Sequence, residues 1–298
     1  MTVFTLSSPE PSPTCAEMTA ARIHRYGPPS VVTLRRIHVP EPQHHEVLVR
    51  VCAAGVGNWD ALVRTGTSGL PQSLPLTLGA EVSGVVERVG ANVTEFHQGV
   101  FGVTNASFVG GYADYAVASV KTIAKKPSKL SHIESASVPV VAVTAWQMLF
   151  NHARASEGQT VFVHGGAGNV GGYAVQLARW SKVRVIASVR GDDTDYVRAL
   201  GADEVVRTPS SRLAEFAQCA DAVIDTVGGP TQDQLFSLTK PGGIVVSVVS
   251  PPNAQRAQQD RLRSDYFIVD VNSAQLERLA DIHVRWNRSA HCRGTRCT

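Results

Sequence analysis

Two textures of apolar and polar positions divide the chain. From residue 20 to about residue 126 they alternate in short runs. Residues 47–52 and 81–89 alternate as half-buried strands do. Glycine and proline recur at short intervals, at Gly55, Gly57, Gly66, Pro71, Pro75 and Gly79 among others. Short strands with frequent turns predict a compact, barrel-like β-rich unit. Beyond residue 130 the pattern changes. Ser131 and Glu134 have capping-box spacing ahead of an apolar run, which predicts one long helix through Phe150. Apolar strands at 160–164, 183–189, 204–206, 222–225 and 243–249 then alternate with helices at 170–180, 193–200, 212–219 and 232–238. Such alternation predicts βαβ crossovers, and so a doubly wound parallel sheet in an α/β protein.

The composition sets the scale. The chain has 298 residues, enough for two ordinary domains, and is 43% apolar and 18% charged, which excludes a disordered chain. Twenty-eight basic against 25 acidic residues give +3, a balance that argues against nucleic acid or an anionic membrane as partner. Five scattered cysteines with no CxxC predict reduced thiols and a cytoplasmic setting. No apolar run reaches the length of a membrane span. Residues 1–17 have neither Lys or Arg nor an apolar core. They read as a disordered leader rather than a targeting signal, with Met18 an alternative start.

The strongest chemical signal is Gly166-Ala-Gly168-Asn-Val-Gly171. As a bare pattern it is weak. Here it follows an apolar strand and opens a helix, as a dinucleotide-binding loop requires. Gly166 allows the turn, Gly168 lets the backbone approach a pyrophosphate, and Gly171 lets helix pack on strand. Asn169 and Val170 open the helix, whose free amides favour phosphate. The second strand ends Ser188-Val-Arg190, with Val189 near the position where NAD enzymes place an acid. A small polar Ser188 and a cationic Arg190 favour NADP, against the nearby Asp192 and Asp193. Thr226, Val227 and Gly228 follow the fourth strand, at the carboxyl edge where ligands bind.

These residues, with others in order, carry a resemblance. They include Gly55-Val-Gly-Asn-Trp-Asp60 with Arg64, Pro75-Leu-Thr-Leu-Gly-Ala-Glu-Val-Ser-Gly84, Gly111-Tyr-Ala-Asp-Tyr115, Thr144-Ala-Trp146, Leu200-Gly-Ala-Asp203 and Asp225-Thr-Val-Gly-Gly229. From about residue 18 to 280 the chain resembles the zinc-independent quinone oxidoreductase (zeta-crystallin-like) branch of the medium-chain dehydrogenase/reductase superfamily. The resemblance implies a GroES-like catalytic domain (18–130), a Rossmann domain (131–265) and, from 266, the start of a return to the catalytic domain. It implies hydride transfer from NADPH to quinones or activated double bonds, a small electrophilic substrate and a homodimer. A free sheet edge at 243–249 would mark the self-association surface.

Where zinc-dependent relatives place ligands, this chain has Gly57, Ala80 and Val140, none of which can bind zinc. His44-His45 and His291, Cys292 and Cys297 are the other metal-like clusters, and neither reads as a site. The resemblance makes Asn58, Trp59, Asp60, Thr144 and Phe267 the cleft lining. Thr144 is expected near nicotinamide and ribose, and Asp60 reads first as a structural acceptor. No activated nucleophile is evident.

Three departures stand out. Phe96-His-Gln-Gly-Val-Phe-Gly102 lacks two residues of the family pattern, including an Asp. Lys182 replaces a usual glycine. The pattern stops after Ala280, and the segment from His283 to Thr298 reads as a frameshifted tail that leaves the return incomplete. Two other functions therefore stand beside the first: a non-catalytic NADPH-binding protein, and an enoyl-thioester reductase.

Overall fold

The computed structural model describes residues 17–70, 72–95, 98–208 and 211–286. The leader up to residue 16, Phe96 and His97 within the shortened turn, and the tail from residue 287 lie outside them. Glu17 already belongs to the first strand, paired with His38, so the boundary at 17 moves back by one residue.

The first lobe holds β1 (Glu17–Ile23), β2 (Thr33–His38), β3 (Glu46–Ala54), α1 (Asn58–Thr65), β4 (Leu76–Thr77), β5 (Glu81–Val89), β6 (Gly99–Val103), β7 (Tyr115–Ser119) and β8 (Ile123–Lys125). Its strands form two antiparallel sheets, ordered β2-β1-β4 and β7-β3-β5-β6-β8. Alternation buries Val47, Val49, Val100, Ala118 and Ile123 inside the larger sheet.

The predicted helix through Phe150 is three pieces. The capping box forms, with Ser131 Oγ accepting from Glu134 N at 3.2 Å and Glu134 Oε2 accepting from Ser131 N at 2.8 Å. It opens only α2 (His132–Ala136); Pro139, which has no N–H to donate, opens α3 (Pro139–Trp146), and a π-turned segment, Gln147–His152, follows.

The second lobe then runs β9 (Thr160–His164), α4 (Asn169–Trp180), β10 (Arg184–Val189), α5 (Thr194–Leu200), β11 (Glu204–Arg207), β12 (Ala220–Asp225), α6 (Gln232–Leu235), β13 (Thr239–Ser247), α7 (Ala254–Gln259) and β14 (Arg263–Tyr266). The strands are all parallel, in the order β11-β10-β9-β12-β13-β14. Strand order therefore reverses between β9 and β12, the switch point where such sheets bind ligands. Phe162, Ile186 and Val223 pack on one face, Val161, Val185 and Ile224 on the other.

Three sequence expectations need correction here. The expected helix at 212–219 is a 3-10 turn, Ser211–Phe216. The expected helix at 232–238 changes to a 3-10 turn after Leu235. The strand expected at 243–249 begins at Thr239, because the Pro241-Gly-Gly243 stretch bulges within it, and it ends at Ser247. It is also no free edge, since β12 and β14 flank it; the edge is the four-residue β14. Lys182, at the usual glycine, takes the left-handed φ of 59° and pairs with Glu157 at 3.1 Å. That conformation explains why glycine suits the position.

After β14 the chain does turn back. Ser273 N donates to Lys121 O at 2.8 Å, and α8 (Ser273–Trp286) packs against β8 and α3. Leu276, Leu279 and Ile282 join a core that also holds Ala80, Phe101, Val103 and Ala124 of the first lobe and Val161 of the second. The two lobes share one hydrophobic interior.

Candidate active site

At the end of β9 the chain makes the turn Gly165–Gly168 and enters α4. Gly168 N donates to Gly165 O at 2.9 Å, and the first intrahelical bond is Gly172 N to Gly168 O at 2.7 Å. The amides of Asn169, Val170 and Gly171 precede that bond, and Gly168 and Asn169 are exposed. Gly166 and Gly171 are buried. A Cβ at residue 171 would stand 2.1 Å from Gly165 O, whereas one at 168 would meet only that oxygen, at 3.3 Å. Gly171 is therefore required by packing, and Gly168 leaves room on the outer side. This fits a bound pyrophosphate.

Across the switch point stands the loop after β12. Thr226 donates to His164 O through both its amide (3.2 Å) and its hydroxyl (2.7 Å). Asp225, fully buried, accepts from Val227 N at 3.1 Å and Gly228 N at 2.9 Å through Oδ1. Its Oδ2 accepts from Gln232 Nε2 (2.9 Å) and Ser247 Oγ (3.0 Å). Val227 remains exposed at the rim.

The residues ending β10 divide in role. Ser188 is buried, and its hydroxyl touches His164 Nδ1 (2.7 Å) and accepts from Gly165 N (3.2 Å). It braces the phosphate loop from beneath. Arg190 is exposed and has no ion pair among the described residues. Asp192, one of the two competing acids, pairs with Arg207 at 2.7 Å.

The first lobe contributes the loop between β3 and α1. Asn58 is exposed at the start of α1. Trp59 meets Phe108 edge to face, with ring centroids 5.4 Å apart, and its buried Nε1 has no partner among the described residues. Asp60 is buried and accepts from Gly57 N at 2.8 Å through Oδ2, while Oδ1 has no described partner. Thr144 is buried on α3, where its hydroxyl donates to Val140 O at 2.6 Å. Phe267 stacks on His152 with centroids 3.9 Å apart and planes 9° apart. His152 also meets Asp265 at 2.6 Å, and Gln147 Nε2 donates to Asp270 O at 2.7 Å. The segment carrying Phe267 is thus tied to the π-turned segment, and Phe267 and Trp59 both pack against the shared core.

Sequence reasoning passed over Glu81. Its Oε1 accepts from Val140 N at 2.7 Å. Two of the three positions where zinc-dependent relatives carry ligands, Gly57 and Val140, therefore give their amides to buried carboxyls, and the third, Ala80, adjoins Glu81. Burial, with the neighbouring Asp60 charge adding to it and the Val140 amide opposing, pushes the Glu81 carboxyl up to about 8. Burial also raises Asp60, against the Gly57 amide and the Tyr112 hydroxyl. Tyr112 donates to Gly55 O at 3.1 Å, and burial beside Asp60 holds its phenol well above the usual range. The available signal was a lone acid opening the stretch Glu81-Val-Ser-Gly-Val-Val of an expected strand. Among the described residues no group of three or more His, Cys, Asp or Glu could hold a metal ion. No described helix is long and apolar enough to cross a membrane.

Comparison with known proteins follows this division. Residues 43–128 match the alcohol dehydrogenase GroES-like domain, and residues 169–270 match the family described as zinc-binding dehydrogenase. The chain is 31% identical to a human quinone oxidoreductase over 262 residues, covering 85% of this chain and 80% of that one. A quinone oxidoreductase structure from Coxiella burnetii superposes with a TM-score of 0.82 at 31% identity, covering 89% of this chain and 87% of the other. An NAD-dependent alcohol dehydrogenase structure gives 0.81 at 26% identity, covering 89% of each chain.

Proposed function

The chain belongs to the zinc-independent quinone oxidoreductase branch of the medium-chain dehydrogenase/reductase superfamily, and from that premise we propose that it reduces quinones or activated carbon–carbon double bonds with NADPH. The observation that carries the cofactor is the phosphate loop at the switch point, facing Thr226, Val227 and Gly228. The amides of residues 169–171 would hold the pyrophosphate, and Arg190 the 2′-phosphate. Of the two nearby acids, Asp192 pairs with Arg207, an exposed pair that weakens its competition for the ribose without removing it. When bound, the nicotinamide supplies the hydride.

The protein positions and dries the reaction. Gly57, Ala80 and Val140 leave the carbonyl without a polarising zinc, which suits acceptors that are already electron-poor. Asn58 and Trp59 from α1, Thr144 from α3 and Phe267 beyond β14 are the lining residues of this reading. Asp60 acts as the acceptor that caps α1. The free thiols of Cys52 and Cys219 suit a reducing cytoplasm.

The test is cofactor consumption by the full chain with a panel of ortho- and para-quinones and enones, with NADPH and with NADH. Turnover is expected with NADPH and at least one acceptor, unchanged by a metal chelator. Arg190→Ala is expected to weaken NADPH binding about tenfold and leave NADH unaffected, as loss of one charge-assisted contact would do. Tight binding without turnover on any acceptor would identify a nucleotide-binding protein instead.

A further inference from the structure

His164 ends β9 beneath both cofactor loops, and it is 4% exposed. Its Nδ1 lies 2.7 Å from Ser188 Oγ, and its Nε2 lies 3.2 Å from Thr231 Oγ1. Ser188 Oγ accepts from Gly165 N at 3.2 Å, and Thr231 Oγ1 donates to Gly228 O at 3.4 Å. One chain of contacts therefore runs from the phosphate loop to the loop after β12.

The donors and acceptors fix its direction. Among the described residues the Ser188 hydroxyl meets only the Gly165 N–H, which it accepts, and His164 Nδ1, so its single proton has no acceptor but Nδ1. Nδ1 is then an acceptor, and the neutral ring carries its proton on Nε2. That N–H points to Thr231 Oγ1, whose own proton goes to Gly228 O. Every proton has one partner, and only the neutral Nε2–H tautomer satisfies the whole chain.

We infer that His164 is a positioning residue for the dinucleotide: in its neutral Nε2–H form it holds the phosphate loop and the Thr226–Gly228 loop in register, and its protonation uncouples them and weakens cofactor binding. The inference rests on the nicotinamide-dinucleotide reading above. A protonated ring would drive a second N–H at Ser188 Oγ, leaving the serine proton without an acceptor. The charged groups facing the ring are Asp225, its register partner on β12, and Arg190 at the end of β10. Burial holds the imidazole below its ordinary value, Asp225 opposes that and Arg190 reinforces it. The neutral form therefore prevails at physiological pH.

The test compares binding of NAD⁺, which carries no titrating 2′-phosphate, to wild type and His164→Asn between pH 7.5 and 5.0. Asparagine keeps an acceptor near the Nδ1 position but cannot titrate. The variant is expected to bind up to about tenfold more weakly at pH 7.5, the cost of one buried hydrogen bond. Wild-type affinity is expected to fall on acidification by at least about fivefold more than that of the variant. Parallel pH profiles would overturn the inference and leave the cofactor reading standing. Failure of wild type to bind NAD⁺ and NADP⁺ at pH 7.5 would remove that reading, and this inference with it. Nitrogen chemical shifts of the His164 ring in the wild-type protein give a measurement independent of any variant. A proton on Nε2 alone at pH 7.5 is expected, and a proton on Nδ1 would overturn the assignment.

Discussion

At the scale of single residues, Glu81 holds a proton that an exposed glutamate would have lost. Its folded-state value is about 8, against 4.5 for the free side chain. Between those values the folded chain keeps a proton that the unfolded chain releases. Its contribution to stability therefore falls as pH rises through that window. Glu81→Gln keeps an oxygen for the Val140 amide and cannot ionise. Thermal melts of the variant and wild type are expected to agree near pH 4.5. At pH 8.5 the variant is expected to be more stable, by several kcal/mol on the order of the shift. Equal melting temperatures at both ends would refute a buried, protonated Glu81. Ser188 shows the limit of reading such residues from sequence. Its place at the end of the second strand was legible, but the direction of its hydroxyl, inward to His164 and Gly165 N, depends on packing that no local pattern encodes. His164 and Asp225 were hidden for the same reason. Each ends an apolar strand; His164 gains Ser188 from β10 and Thr231 from the turn beyond β12, and Asp225 gains Ser247 from β13 and Val227, Gly228 and Gln232 from the segment after β12.

At the scale of elements, the turn into α4 separates glycines by purpose. Gly171→Ala would set a Cβ 2.1 Å from Gly165 O, a backbone clash that nothing flexible relieves. It is expected to destabilise the fold by about 2–3 kcal/mol in denaturant titration. Gly168→Ala meets its nearest atom at 3.3 Å. It is expected to change stability by less than about 1 kcal/mol while weakening dinucleotide binding at least tenfold. Reversed ranks would show that the loop does not face a pyrophosphate through Gly168. Strong periodicity made the parallel sheet legible, and β9, α4 and β10 lie within a residue of their expected bounds. Breaks inside apolar runs were not. The expected helix ran past Pro139, where α3 in fact opens, and within the π-turned Gln147–His152 segment Gln147 and His152 reach Asp270 and Asp265. Such tertiary ties leave no periodic trace.

At the scale of the whole molecule, α8 makes the lobes one body. Leu276 is fully buried in the core that joins Phe101 to Val161. Leu276→Ala is expected to cost about 2–4 kcal/mol, and the shared core makes both lobes unfold together. Separate transitions by calorimetry would contradict a common interior. The expected halt of the family pattern after Ala280 therefore coincides with a helix that has already made its return contacts on β8 and Lys121. That long closure also sets a clock on biosynthesis. β8 leaves the ribosome roughly 150 residues before α8, and at about 5–20 residues per second it waits roughly 8–30 s for its cover. During that interval α2 and α3 can already pack on β6, but the side of β8 that α8 covers waits for the end of synthesis. The last stretch of chain to be made is thus the one that completes the first lobe.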